Sequence, residues 1–268
     1  MIDAVGDRVI LSKLSEQFPE LIDHVMLAGN VIQSRAGATK EILDFRLELL
    51  SPEFCVVERR GMNLGFMTEE IIQLLAGGYD QDRLTAQVAR SADLITPVTS
   101  YGPRIYPQLL AVRDELRKNP ESRRAVVYIG REDDLISLNS PIEAAERAGE
   151  MPCTCVWQFH LRDNQLHMGV YMRSWDLVWG LSYDIPSFVS IQMALAGDLG
   201  VNRGIYVHTA GSAHVYDRHW NLNTWPNDDG ALTSNLQIPD PYFLFGDTLE
   251  ETQANAKFLM TIDLEESA

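Results

Sequence analysis

The chain has 268 residues, 46% hydrophobic and 22% charged, enough apolar material for one large domain with a substantial core. A net charge of -16 excludes a whole-protein basic footprint for nucleic acid, so an anionic substrate has to be met by a local arginine cluster. Three cysteines (Cys55, Cys153 and Cys155) argue against a disulfide framework and for a reducing compartment.

The N-terminal MIDAVGDRVILSKL lacks the basic-then-apolar pattern of a signal peptide, and no run reaches the roughly 18 apolar residues needed to span a membrane. The expectation is a cytoplasmic protein without a membrane partner. Residues 15–32 carry Phe18, Leu21, Ile22, Val25 and Met26 at helical spacing, with Pro19 expected in the first turn. The run 34–41 reads as a loop, and EILDFRLELL alternates like a strand. Residues 67–76 predict a helix stopped by Gly77-Gly78, and 107–122 predict another. AVVYIG at 125–130 predicts a short buried strand, followed by an acidic stretch to about Glu150. CTCVWQFHLRDNQLHMGVYMRS predicts a hairpin turning around Arg162-Asp163-Asn164. IPSFVSIQMALAGDLG predicts a buried helix with Pro186 near its first turn, and GIYVHTAGSAHVY a strand pair or one bent strand. Strands mixed irregularly with helices indicate an α+β class. The GxGxxG and GxxxxGK[ST] patterns are absent.

Residue by residue, the chemistry has bland readings beside sharp ones. Cys153 is a nucleophile if a cation lowers its pKa, or a core cysteine otherwise. The Cys153-x-Cys155 spacing admits a metal or redox reading that no second ligand pair supports. His208, His214 and His219 fit no zinc spacing and read as core or hydrogen-bonding residues. Asp176 suits a general base or a turn cap. Arg123-Arg124 suits a phosphate clamp or a solvated surface.

Taken in order, these residues resemble the thymidylate synthase family. The matching elements are Cys153 after proline, Gln158-Phe159, Arg173-Ser174-x-Asp176 and Gly180-Leu181-x-Tyr183-Asp184-Ile185. His214-x-Tyr216, Ser34-Arg35-Ala36-Gly37, Glu70, Tyr101-Gly102 and Ser122-Arg123-Arg124 complete the set, over roughly residues 15–225. The resemblance implies a mixed sheet flanked by helices in one catalytic domain over 1–268, dimerised through the sheet. It implies a pyrimidine nucleoside monophosphate substrate and 5,10-methylenetetrahydrofolate as cosubstrate. Arg35, Arg173 and Ser174 would hold the 5′-phosphate, with Arg123 and Arg124 reaching it from the other subunit. His214 and Tyr216 would bind the sugar, and Gln158 would serve in substrate binding. Cys153 would attack ring carbon 6, with clamped arginines depressing its pKa. Glu70 and Tyr101 would serve the proton transfers, and Asp176, Trp179 and Gly180 the folate.

The departures from the family pattern are informative. Asp184 stands where a thymidylate synthase has Asn. An amide donates to uracil O4 and accepts from its N3–H, whereas a carboxylate accepts from the 4-amino group of cytosine. This Asp resembles the deoxycytidylate hydroxymethylase branch. Thr154, Met172 and Ser212 replace a His, a Gln and an Asp typical of the family. The terminal DLEESA lacks the apolar ending that closes a thymidylate synthase over its folate. The expected activity is 5-hydroxymethylation of dCMP or CMP. The rivals are a deoxycytidylate methylase or thymidylate synthase and, from another class, a nucleotide-binding regulator without chemistry.

Overall fold

The side-chain amide of Gln17 begins the first helix: its Oε1 accepts the N–H groups of Ser12 and Lys13 at 2.9 Å each. Helix α1 therefore spans Leu14–Ala28, and Pro19 falls in its second turn, not its first. A computed structural model describes residues 2–52, 57, 62–88, 95–97, 99–137, 151–221 and 244–262. Cys55, the stretch 138–150 and the terminal DLEESA lie outside the described residues.

Before α1 come strands β1 (Asp3–Val5) and β2 (Arg8–Leu11). After it, β3 (Asn30–Ser34) and β4 (Gly37–Leu49) pair antiparallel around a two-residue turn. The loop expected at 34–41 thus shrinks to Arg35-Ala36. Ser34 Oγ accepts from Ala36 N–H and donates to the Gly37 carbonyl, so the serine stitches the turn that lets β4 start at Gly37. Helix α2 (Leu64–Ala76) starts where Asn63 caps Phe66 N–H, and ends at Gly77 with φ +69°, as the Gly-Gly pair predicts. Helix α3 (Gln81–Gln87) was not predicted; Asp80 caps it. Helix α4 (Gly102–Lys118) begins five residues before the expected boundary, because Pro103 suits a first turn, and stops before Asn119-Pro120.

Strand β5 (Val126–Tyr128), helix α5 (Glu132–Ser137) and the hairpin β6 (Thr154–Arg162) and β7 (Gln165–Met172) follow. Then come the short β8 (Trp175–Asp176), helix α6 (Leu181–Leu199) and the long strand β9 (Asn202–Tyr216), one strand where the sequence left a pair open. A 3-10 turn (Asp217–His219) and helix α7 (Leu249–Met260) complete the described elements.

Among the described residues, nine strands join one mixed sheet in the order β1-β2-β4-β9-β7-β6-β5, with β3 on β4 and β8 on β9. The α+β expectation holds. Phe45, Leu47, Trp157, Phe159, Met168, Val170, Tyr206 and Ala210 point to one face and are buried under the helices. Their neighbours Gln158, His160, His167, Val207 and Thr209 stay half-exposed on the other. Strands β7 and β9 are parallel, connected through α6.

Helix α7 is tethered at both ends. Asp198, its side chain fully buried, accepts Leu249 N–H at 2.7 Å and an Arg117 bond at 2.7 Å. At the far end Arg83, held by Glu69, donates to the Ile262 carbonyl at 2.7 Å. Gln253 donates to the Ala76 carbonyl, so α7 braces the C-terminus of α2. None of the helices among the described residues is long and apolar enough to cross a membrane.

Candidate active site

The β6–β7 hairpin turns at Asp163 and Asn164, with φ +49° and +59°, the conformation that a tight two-residue hairpin loop requires. From there the ladder pairs Arg162 with Gln165, Phe159 with Met168 and Val156 with Tyr171. A bulge at Cys155 then shifts the register, so Thr154 pairs with Met172. The shift places Cys153 opposite Arg173, whose N–H donates to the Cys153 carbonyl at 2.9 Å. Without the bulge the partner would be Ser174. The Arg173 side chain turns back on the same segment. Its Nε donates to the Pro152 carbonyl at 3.0 Å, and Nη2 to the Met151 carbonyl at 2.8 Å and the Cys153 sulfur at 3.7 Å.

Arg173 does pull the thiol pKa down, as expected of a nearby cation. Burial outweighs it, with Asp184 and Asp176 adding to the upward push, so the thiol titrates above its ordinary value. The expectation of a depressed pKa is corrected on this point: one guanidinium at 3.7 Å does not offset desolvation in a mostly buried site.

The cavity beside Cys153 has a volume of about 500 Å³. It opens where β7 ends, β8 crosses and α6 begins. Glu70, Tyr101, Cys153, Ser174, Asp176, Trp179, Gly180, Asp184, His214 and Tyr216 all line it. Glu70 and Glu69 diverge: Glu69 is buried in its ion pair with Arg83 and its bond from Gln73, while Glu70 lines the cavity. Leu74, Tyr79, Leu84, Val88 and Ile95 make an apolar wall at one side.

Asp184 sits in the first turn of α6. Its Oδ2 accepts the indole N–H of Trp175 at 3.1 Å. Burial pushes its carboxyl up to about 7, against the pull of the Trp175 bond and with help from Asp176. A side chain on Gly180 would bring its Cβ to 3.0 Å from Asp184 Oδ2 and 2.9 Å from the Asp176 carbonyl, so glycine keeps the carboxyl in place. Trp175 in turn stacks on His208 with centroids 3.6 Å apart and planes 6° off parallel. The His208 Nδ1 bonds to the Tyr206 hydroxyl at 2.9 Å, and burial holds the ring neutral, with its pKa pushed down to about 3. Burial likewise raises the Tyr101 phenol well above its usual range, and Asp184 and Cys153 add to the effect.

Asp176 is a turn cap: its Oδ1 accepts the N–H groups of Val178 and Trp179 at 2.9 and 3.1 Å. Its Oδ2 lies 3.9 Å from Arg218, which also covers the Tyr216 ring at 4.1 Å. The β8–β9 register puts Asp176 beside His214. Trp179 donates to His219 Nε2 at 2.8 Å. The three histidines therefore have separate tasks, and among the described residues no group of three metal-ligating side chains forms.

The structure does not bring every predicted residue to the cavity. Gln158 donates to the Arg123 carbonyl at 3.0 Å and does not line the cavity, since its strand points Trp157 and Phe159 to the core instead. Arg124 pairs with Glu115 on the surface, and neither it nor Arg123 lines the cavity of its own chain. Arg35 lies in the β3–β4 turn beside Ala36, which does line it. Trp175, His208 and Tyr206 were missed as supports of the site. The signal was faint: an unbroken aromatic at the x of Arg-Ser-x-Asp.

Compared with known protein families, residues 16–225 match the family model described as thymidylate synthase.

Proposed function

The chain belongs to the thymidylate synthase family, enzymes that transfer one-carbon units to pyrimidine nucleotides, and on that premise we propose that it is a cytidylate 5-hydroxymethyltransferase acting on dCMP or CMP. The observation that carries the reading is Asp184, a carboxyl at about 7 in the same cavity as Cys153, at the position where the family's uracil enzymes have an amide. A carboxylate accepts from the cytosine 4-amino group. A carboxyl near neutrality also supplies the proton that N3 needs as electrons move onto the ring.

In this reading Cys153 attacks carbon 6 as its thiolate, and Arg173 is the cation that favours ionisation. Carbon 5 becomes nucleophilic, takes the one-carbon unit and loses its proton as the bond from that carbon to the folate nitrogen breaks and tetrahydrofolate leaves. Water adds to the exocyclic carbon, and the thiolate leaves carbon 6. When bound, 5,10-methylenetetrahydrofolate supplies that unit at the oxidation level of formaldehyde. The apolar wall of Leu74, Tyr79, Leu84, Val88 and Ile95 beside Trp179 suits a flat, partly apolar ring system. Asp176 and Gly180 shape that end of the cavity, while Glu70 and Tyr101 order water and protons. Arg35, Arg173 and Ser174 bind the phosphate, joined by Arg123 and Arg124 from a partner subunit. His214 and Tyr216 bind the sugar. The half-exposed face of the sheet suits such a homodimer.

The test is incubation with methylenetetrahydrofolate and each of CMP, dCMP, UMP and dUMP, with product masses read out. A mass gain of one hydroxymethyl group on a cytidine nucleotide, with tetrahydrofolate released, is expected. Dihydrofolate appearing in step with turnover would replace the reading with methylation. A Cys153→Ser variant as fast as the parent would remove the nucleophile.

A further inference from the structure

We infer that Trp175 is a positioning residue that selects which oxygen of Asp184 meets the pyrimidine base. The indole Nε1–H is a donor only, so the oxygen it binds, Oδ2, has to act as acceptor in both protonation states. Oδ2 is further enclosed on the Gly180 side, where a Cβ would stand 3.0 Å away. Asp184 lines the cavity, and Oδ1 is the oxygen that the indole leaves for a bound base.

Two consequences follow from the donor's chemistry. Any proton that Asp184 carries sits on Oδ1, the oxygen turned toward substrate. The ionised form offers that same single oxygen as an acceptor. A carboxyl free of Trp175 would share its proton between two oxygens and rotate. Here rotation is opposed by a fully buried indole, itself stacked on His208, which the Tyr206 hydroxyl fixes. The chain Tyr206–His208–Trp175–Asp184 thus runs from the sheet core to the base-reading oxygen. Burial raises the carboxyl to about 7, so both forms are populated near neutrality.

The inference rests on the reading of Asp184 as the base-contacting residue, but its first test does not. In protein labelled with 15N at tryptophan, the Trp175 indole signal should move with pH around a midpoint near 7. It is assigned by its loss in Trp175→Phe, which keeps a ring against His208. If that variant is unfolded, the changed shift in Asp184→Asn assigns it. In Asp184→Asn the signal should stay fixed over the same range. A Trp175 signal that ignores pH in the parent, or titrates equally in Asp184→Asn, would overturn the inference.

The second test is kinetic. Trp175→Phe should lower kcat/KM on dCMP about tenfold and move the acid limb of the pH profile up by about one unit, since a hydrogen bond to the charged form is lost. In Asp184→Asn the indole holds the amide oxygen and turns the NH2 to the base, which serves uracil O4 but not its N3–H. The dUMP-to-dCMP preference should therefore rise in Asp184→Asn. It should rise further in the double variant, where the amide can present both groups. Equal preference in the single and double variants would sink the role of Trp175 and leave the cytosine reading standing. An unchanged preference in Asp184→Asn would sink the cytosine reading, with the indole titration still deciding the other.

Discussion

The Arg173 guanidinium binds the Pro152 carbonyl through Nε and the Met151 carbonyl through Nη2, the nitrogen that also approaches the Cys153 sulfur, so the cation is anchored to the segment that carries the thiol. Burial raises the thiol and Arg173 lowers it. Arg173→Met removes the lowering influence, and the midpoint for alkylation by iodoacetamide should move to higher pH. At pH 8 the rate should fall about tenfold for each unit of that move. Arg173→Lys should land between, because an ammonium cannot span three acceptors at once. An unchanged rate in Arg173→Met would show that the guanidinium does not reach the thiol in solution.

Asp184 couples folding to pH. Its folded pKa, about 7, lies above its ordinary value of 3.8, so the folded chain binds this proton more tightly than the unfolded chain. The stabilisation is complete below pH 4 and is lost as pH rises through 7. Asp184→Asn keeps an acceptor for Trp175 and carries no charge. Denaturant titrations should find it more stable than the parent at pH 8, by up to about 4 kcal/mol, and equal to it near pH 4.

The buried pair Arg104–Asp134 ties α4 to α5 through two bonds of 2.6 and 2.7 Å. Arg104 also donates to the Ile129 carbonyl. Removing one partner strands a buried charge. Arg104→Met should cost about 3–5 kcal/mol in urea unfolding, and Arg104→Met with Asp134→Leu should recover most of it. A double variant as damaged as the single would mean that the carbonyl bond, not the charge pair, matters.

Arg124 is placed by its fold on the surface, paired with Glu115 and outside its own chain's cavity. Arg123→Ala with Arg124→Ala, and Cys153→Ser, should each abolish turnover. Mixed after unfolding and refolding together, they should regain activity under the proposed sharing of arginines in a homodimer, because one site of a mixed dimer would combine an intact thiol with intact partner arginines. Continued silence of the mixture would place the arginines in cis or outside the reaction.

Much of this site was legible in the sequence because its residues sit in short ordered segments. Arg173, Ser174 and Asp176 share one segment, and Gly180 to Ile185 another. The hairpin was legible too, through alternation and its Asp163-Asn164 turn. The bulge at Cys155 was not: it changes pairing without changing composition. The early start of α6 was hidden because Pro186 suggested a first turn, and Pro19 in α1 fell one turn later than its type suggests. In α1 a Gln17 side chain supplied the cap that its start requires. The stack of Trp175 on His208 joins residues 33 apart, a distance that no local pattern spans. The net sign of the thiol shift depended on burial, which the sequence does not weigh against charge.

The Cys155 bulge makes the hairpin behave like a vernier. Lengthening the loop at Asp163-Asn164 adds chain at the free end of the ladder, where nothing downstream is read out. Deleting the single extra residue at 155 restores regular pairing with Thr154 still opposite Met172 and Cys153 still opposite Arg173, whereas a hairpin that keeps 155 and pairs it regularly slides Ser174 into the place of Arg173. The same residue count thus serves two registers, and the bulge decides between them. A variant that irons out the bulge without losing a residue would keep its fold and exchange the nucleophile's cation for a hydroxyl.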